Sequence, residues 1–129
     1  MREILFRGKR KKGDKRWVEG DLTHGYAGYV GIMVWCCAGS FFEVVPETVG
    51  QYTGLTDKNG KKIFEGDILS GHFDELFPEE ESRYEVIWHD YGWHIKNDTG
   101  IVDTADNKWI KQLFEVIGNI YDNPELIKE

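Results

Sequence analysis

The chain reads as short apolar stretches interrupted every few residues by glycine, asparagine, aspartate or charge, a rhythm that suits antiparallel β structure better than helix. Ile4 and Phe6 on one side and Trp17, Val18 and Leu22 on the other flank the polar run KRKKGDKR. Its Gly13-Asp14 step suits a reversal, so a β-hairpin is predicted. Residues 26–37 are rich in aromatic and β-branched side chains, with Gly28 and Gly31 where a strand bends or bulges. Gly39-Ser40 turns the chain into a strand over 41–45, which Pro46 closes because it has no N–H to donate. A single helical turn over 47–50 is expected next.

Residues 51–69, QYTGLTDKNGKKIFEGDIL, carry paired glycines and aspartates that invite comparison with ligand-binding loops. A calcium loop counted from Asp57 places Gly60 fourth, Lys61 fifth and Ile68 twelfth, where the ion needs glycine sixth, an oxygen ligand fifth and glutamate twelfth. A phosphate loop fails too, because five residues separate Gly54 from Gly60 and Lys61-Lys62 lead into β-forming residues. Turn chemistry accounts for the stretch. Asn59-Gly60 is a hairpin signal in which both residues tolerate positive φ, and Asp57 is placed to bond its own backbone two residues on. Gly66 supplies a conformation other residues resist, and Asp67 is placed to accept backbone N–H groups. The stretch is predicted to be two turns framing one short strand, 62–64.

Beyond it, 68–73 continues as a strand and FDELFPEEE forms a polar loop around Pro78. Residues 83–89 and 93–96 flank Asp90-Tyr91-Gly92 as a second hairpin, with Tyr84, Val86 and Trp88 alternating on one side. Trp109, Ile110 and Leu113 have helical spacing, which predicts a short helix over 106–113, followed by a strand over 114–121. Asn123 as N-cap, Pro124 in the first helical position and Glu125 near the positive end predict a brief terminal turn. The sum is mainly β, with one or two short helices. A twisted antiparallel sheet closing into a small barrel or roll is expected. Residues 17–22, WVEGDL, echo residues 63–68, IFEGDI, each after a basic glycine-containing turn; a duplicated β unit and convergent turns both explain this.

Composition narrows the class. A chain of 129 residues with 40% hydrophobic and 30% charged residues suits a globular protein of one domain or two very small ones. No run approaches the ~20 apolar residues of a membrane span, and the start lacks a signal-like apolar region, so the cytosol is expected. Cys36 and Cys37, adjacent on a strand, point to opposite faces and are expected as two free thiols, since a reducing cytosol disfavours their rare vicinal disulfide. The net charge of −7 is uneven: basic residues crowd the first hairpin, and Asp74, Glu75, Glu79, Glu80, Glu81 and Glu85 crowd one later stretch.

Candidate chemistry is sparse. Of His24, His72, His89 and His94, only His89 and His94 fall close together, with Asp90 between them, and zinc needs three or four ligands of matched geometry. No metal, cofactor or catalytic constellation is expected. Tyr91 and Trp93, beside His89 and His94 at a hairpin tip, are the better lead, placed to stack on bases or grip a peptide, or else to pack in a small core with Trp88. The alternative is nucleic-acid binding through Arg7, Lys9, Arg10, Lys11, Lys12, Lys15 and Arg16 with exposed aromatics, against which the overall acidity weighs. A protein partner or self-assembly is the first expectation, without membrane.

Residues 45–69, VPETVGQYTGLTDKNGKKIFEGDIL, residues 114–127, FEVIGNIYDNPELI, and the opening MREILFRG closely resemble the YopX family of small phage and prophage proteins. YEVIWHDYGWHI resembles the family's strand, turn and aromatic strand, whereas KRKKGDKR is more basic than its usual start. The resemblance implies an all-β protein with a β region over 1–46 and an SH3-like roll over 47–129. It carries no established activity, catalytic residue or cofactor, and implies a phage or prophage origin and the bacterial cytoplasm.

Overall fold

The computed structural model describes residues 3–24, 29–34, 39–71, 82–97, 100–105 and 107–127, with the side chains of 107–109 left aside. The expectations for Cys36 and Cys37, for His72 and for the acidic loop through Glu81 lie outside these residues. The chain divides into two compact units, Met1–Tyr52 and Thr53–Glu129. Both are built on antiparallel sheet, so the chain is mainly β.

In the first unit β1 (Phe6–Lys9), β2 (Trp17–His24), β3 (Val30–Val34), β4 (Ser40–Glu43) and the start of β5 (Gly50–Thr56) lie in the order β4-β3-β2-β1-β5. The predicted first hairpin is present, with Phe6 opposite Gly20 and Lys9 opposite Trp17. Among the described residues of this unit, Ile32 of β3 and Val44 just beyond β4 are the fully buried apolar side chains. A 3-10 turn, Pro46–Thr48, follows β4, and Thr48 stitches it to β1: its hydroxyl donates to the Val45 carbonyl at 2.6 Å and accepts from the Lys9 N–H at 2.9 Å.

The second unit holds the rest of β5, then β6 (Lys62–Phe64), β7 (Asp67–Gly71), β8 (Ser82–His89), β9 (Gly92–Asn97), β10 (Gly100–Thr104), α1 (Asn107–Leu113) and β11 (Glu115–Asn119). Five of these strands form the sheet β10-β9-β8-β7-β11. Its core face packs Leu69, Tyr84, Val86 and Ile95 against Ile63 of β6, Ile110 of α1 and Phe114 just beyond the helix. Each such side chain contributes roughly 1.5–3 kcal/mol on burial. Tyr84 and Phe114 meet edge to face with centroids 5.8 Å apart. This face is covered by α1 and by β6, which is paired with β5 and not with the five strands beneath it. Among the described residues neither sheet closes, so the expected barrel is replaced by open sheets.

Two predicted turns organise this unit, though not as local chemistry alone. Asp57, 1% exposed, accepts the Asn59 and Lys61 N–H groups on Oδ1 and the distant Val116 N–H on Oδ2, each at 2.9 Å. One buried carboxylate therefore shapes the β5–β6 turn and fastens it to β11. Gly60 has φ +80 and its N–H returns to the Asp57 carbonyl, while Asn59 stays at negative φ. The turn is thus type I with a glycine bulge, which corrects the expectation of positive φ at both Asn59 and Gly60. Between β6 and β7, Gly66 sits at φ +90 and is held on both sides: its N–H donates to the Val86 carbonyl and its carbonyl accepts from Ile120, both at 2.9 Å. Asp67, 1% exposed, accepts the Phe64 N–H at 2.8 Å.

The EGD echo is accidental. Glu19-Gly20-Asp21 runs straight through β2, whereas Glu65-Gly66-Asp67 reverses the chain at positive φ. The terminal turn Pro124–Leu126 forms, but Asn123 does not cap it; its side-chain oxygen accepts the Asn119 N–H at 3.3 Å. The sequence pattern predicts neither β5 nor β10.

Asp57→Asn keeps an acceptor on one side but turns an amide toward a second backbone donor, so it should destabilise the second unit by about 2 kcal/mol. Urea unfolding followed by tryptophan fluorescence measures this. Gly66→Val, which meets Tyr121 at 3.3 Å from its Cβ besides the strained φ, should cost at least as much, and a soluble, fully stable variant would contradict it.

Candidate functional site

The β8–β9 hairpin is the aromatic end of the second unit. Its strands pair from Glu85 opposite Lys96 down to His89 opposite Gly92, so alternation splits the side chains between two faces. Tyr84, Val86, Trp88, Trp93 and Ile95 share the core-side face. Glu85, Ile87, His89, His94 and Lys96 share the other.

Trp88 and Trp93 stand directly across from each other, with ring centroids 4.9 Å apart and planes at 72°. The packed core ends beside them: Trp93 still rests against it, but Trp88 is 53% exposed. Of the two tryptophans expected to pack together in a small core, Trp93 rests on the core and Trp88 belongs to the exposed aromatic tip. On the opposite face the His89 and His94 rings meet edge to face at 5.8 Å. His89 Nε2 lies 3.2 Å from Asp90 Oδ2, an ion pair whenever the imidazole is protonated. His94 Nδ1 lies 3.1 Å from the Gly92 carbonyl oxygen. Among the described residues no group of three metal-ligating side chains is placed to hold an ion.

The turn itself carries strain. Asp90 and Tyr91 lie at φ 47 and 64, the conformation of a type I′ reversal that glycine and asparagine normally occupy. For Tyr91 this costs roughly 1 kcal/mol. Its ring makes no compensating burial, being 95% exposed. The predicted residues therefore form one tip with three surfaces: Trp93 with Trp88, His89 with His94, and Tyr91 projecting from the end.

The second candidate set, in the first hairpin, is largely engaged within the protein. Arg7 is 9% exposed and stacks over the Trp17 ring at 4.8 Å, and Arg10 stacks over Phe42 at 4.9 Å. Asp14 pairs with both Arg10, at 3.3 Å, and Arg16, at 3.0 Å, while Lys11 reaches Glu43 at 3.5 Å. Lys12 and Lys15 are exposed at the tip, and Lys15 is itself at φ 56. The predicted turn residues Asp57, Asn59, Gly60, Gly66 and Asp67 serve the fold, with Asn59 Nδ2 also donating to Glu115 at 3.3 Å.

These features belong to a small β protein with aromatic and basic hairpin tips, and the comparisons place it more narrowly. The family model described as YopX protein matches residues 5–128, and the chain belongs to that family. Among solved structures it is similar to protein EF1440 from Enterococcus faecalis, at 23% identity and TM-score 0.64 over 99% of this chain and 100% of that one. It is also similar to protein yopX from Bacillus subtilis, at 18% identity and TM-score 0.59 over 100% of this chain and 98% of that one. At these identities the likeness extends to the fold. Among curated proteins no sequence matches. No helix among the described residues is long and apolar enough to cross a membrane.

Glu85 gives the hairpin a pH signature. Its burial raises the carboxyl above its ordinary range, Lys96 opposite at 3.8 Å pulls it down, and Glu65 adds to the rise. A carboxyl raised in the folded state binds protons more readily there than in the unfolded chain, so stability falls as pH rises through that window. Glu85→Gln should therefore raise the melting temperature at neutral pH, and the gain should shrink on acidification towards the ordinary carboxylate range. Thermal scans of both proteins across that window check the sign.

Proposed function

We propose that the chain is a non-enzymatic accessory protein of a phage or prophage, working in the cytoplasm of a bacterial host. It binds a protein partner or a second copy of itself through the β8–β9 tip. In this reading the second unit is an SH3-like roll whose exposed aromatics grip an extended segment, as small β folds of that kind do. The observation that carries it is Tyr91, a large exposed side chain kept at a backbone position where glycine would be more stable. Trp88, half exposed beside Trp93, supplies the rigid surface typical of interface anchors.

Nucleic-acid binding by the first hairpin has less support, because Arg7 is buried against the Trp17 ring and Arg10 is stacked on Phe42. The excess of acidic residues over the whole chain also opposes phosphate binding.

Tyr91→Gly separates stability from binding. The variant should melt higher than the parent, since glycine relieves the left-handed strain, while losing association. Trp88→Ala should lose association and melt somewhat lower, through the lost contact with Trp93. Sedimentation velocity reads self-association, and quantitative mass spectrometry of host-lysate captures reads partners, with both variants beside the parent. A parent that stays monomeric and captures the same proteins as both variants would sink the proposal.

A further inference from the structure

The first unit carries a groove that the hairpin reading does not use. About 300 Å³ of space opens beside Val18, Val34 and Phe42, with Arg10 and Arg16 bordering it and Trp17 and Glu19 also in its lining. Val18, Val34 and Phe42 are each only partly covered by the protein, so the floor is apolar and accessible.

The two arginines are an unusual pair. They flank the first hairpin opposite one another, the Arg10 N–H donating to the Arg16 carbonyl at 2.9 Å. Like charges facing across two strands repel. Asp14 from the same turn offsets this by placing one oxygen 3.3 Å from Arg10 Nη1 and the other 3.0 Å from Arg16 Nε. Its carboxylate thus stands where a carboxylate from another molecule would bind, shared between two guanidinium groups. It is weakly held: Asp14 and Arg16 are exposed by 53% and 71% of their side chains, and pairs of that exposure contribute little to stability. Arg10, by contrast, is fixed from the other side by its stack on Phe42 at 4.9 Å, which keeps its guanidinium at the edge of the apolar floor.

We infer that this groove is a receptor for an acidic peptide in which a carboxylate is followed by an apolar side chain. The carboxylate replaces Asp14 between Arg10 and Arg16, and the apolar side chain fills the floor of Val18, Val34 and Phe42. Charge complementarity selects this occupant. The volume suits one or two side chains and not a tract of nucleotides, whose binding needs cations strung along several phosphates. The inference stands on the first unit alone and is independent of the β8–β9 tip.

The test is fluorescence anisotropy with a labelled octapeptide, Gly-Ser-Glu-Leu-Glu-Phe-Ser-Gly, its glutamine counterpart, and a short oligothymidylate. The full-length parent is compared with Asp14→Asn and Arg16→Gln. Asparagine preserves the side-chain oxygen that accepts the Arg16 N–H at 3.3 Å, so the turn is retained while the internal competitor loses its charge. Asp14→Asn should bind the acidic peptide about tenfold more tightly than the parent, and Arg16→Gln about tenfold more weakly. The glutamine peptide should bind none of them. A purely structural Asp14 would give equal or weaker binding in Asp14→Asn, and that result overturns the inference. So does tighter binding of the oligothymidylate than of the acidic peptide, which would make the pair a phosphate site.

Discussion

The carboxylate of Asp57 is the interaction on which the second unit depends. A buried anion is costly unless its oxygens are satisfied, and here three backbone N–H groups satisfy it. Two of those donors belong to its own turn and the third to Val116, fifty-nine residues on, so one side chain closes a turn and docks a strand. The Lys58 N–H, donating to the Phe114 carbonyl at 2.9 Å, repeats the connection in the backbone. Phe114 and Ile63 are thereby brought to the same side of the sheet, where they complete the apolar cluster. The Gly66 turn does for β8 and the chain end beyond β11 what Asp57 does for β11 itself. Together they make residues 57–67 a junction between segments distant in sequence.

That junction explains which parts of the fold could be read in advance. The hairpins at 6–24 and 82–97 announce themselves, because each alternates apolar and polar residues around a polar turn and pairs with its sequence neighbour. β5 and β10 do not. QYTGLT is interrupted by Gly54 at φ 86, and every residue of Gly100–Thr104 is exposed, so neither shows the burial pattern that alternation detects. Their strand character comes from the neighbour's ladder, a tertiary effect that propensity cannot carry. The same holds for Asp57: its bond to Asn59 follows from local turn chemistry, but its bond to Val116 requires knowing that β11 passes there.

The candidate surfaces were legible in residue type and illegible in arrangement. Alternation assigns Trp88 to the core face correctly, yet the core stops at Val86 and leaves the indole half exposed against Trp93. The run KRKKGDKR reads as a positive arm, but its single aspartate binds both flanking arginines and changes the arm into a pair of guanidinium groups with a removable counterion.

The distribution of backbone strain separates these surfaces from the scaffold. Where turns serve the core, at residues 60 and 66, glycine occupies the left-handed position and the conformation costs little. Among the described residues the non-glycine residues at positive φ are Lys15, Asp90 and Tyr91, and all three lie in the two hairpins that bear the exposed cations and aromatics. A chain that places glycine at its structural turns has no conformational reason to keep a lysine, an aspartate and a tyrosine in the same region of φ. These three positions therefore carry a backbone cost that glycine would lower. Tyr91 makes the point most sharply, because almost none of its surface is buried and the fold gains nothing from it in exchange.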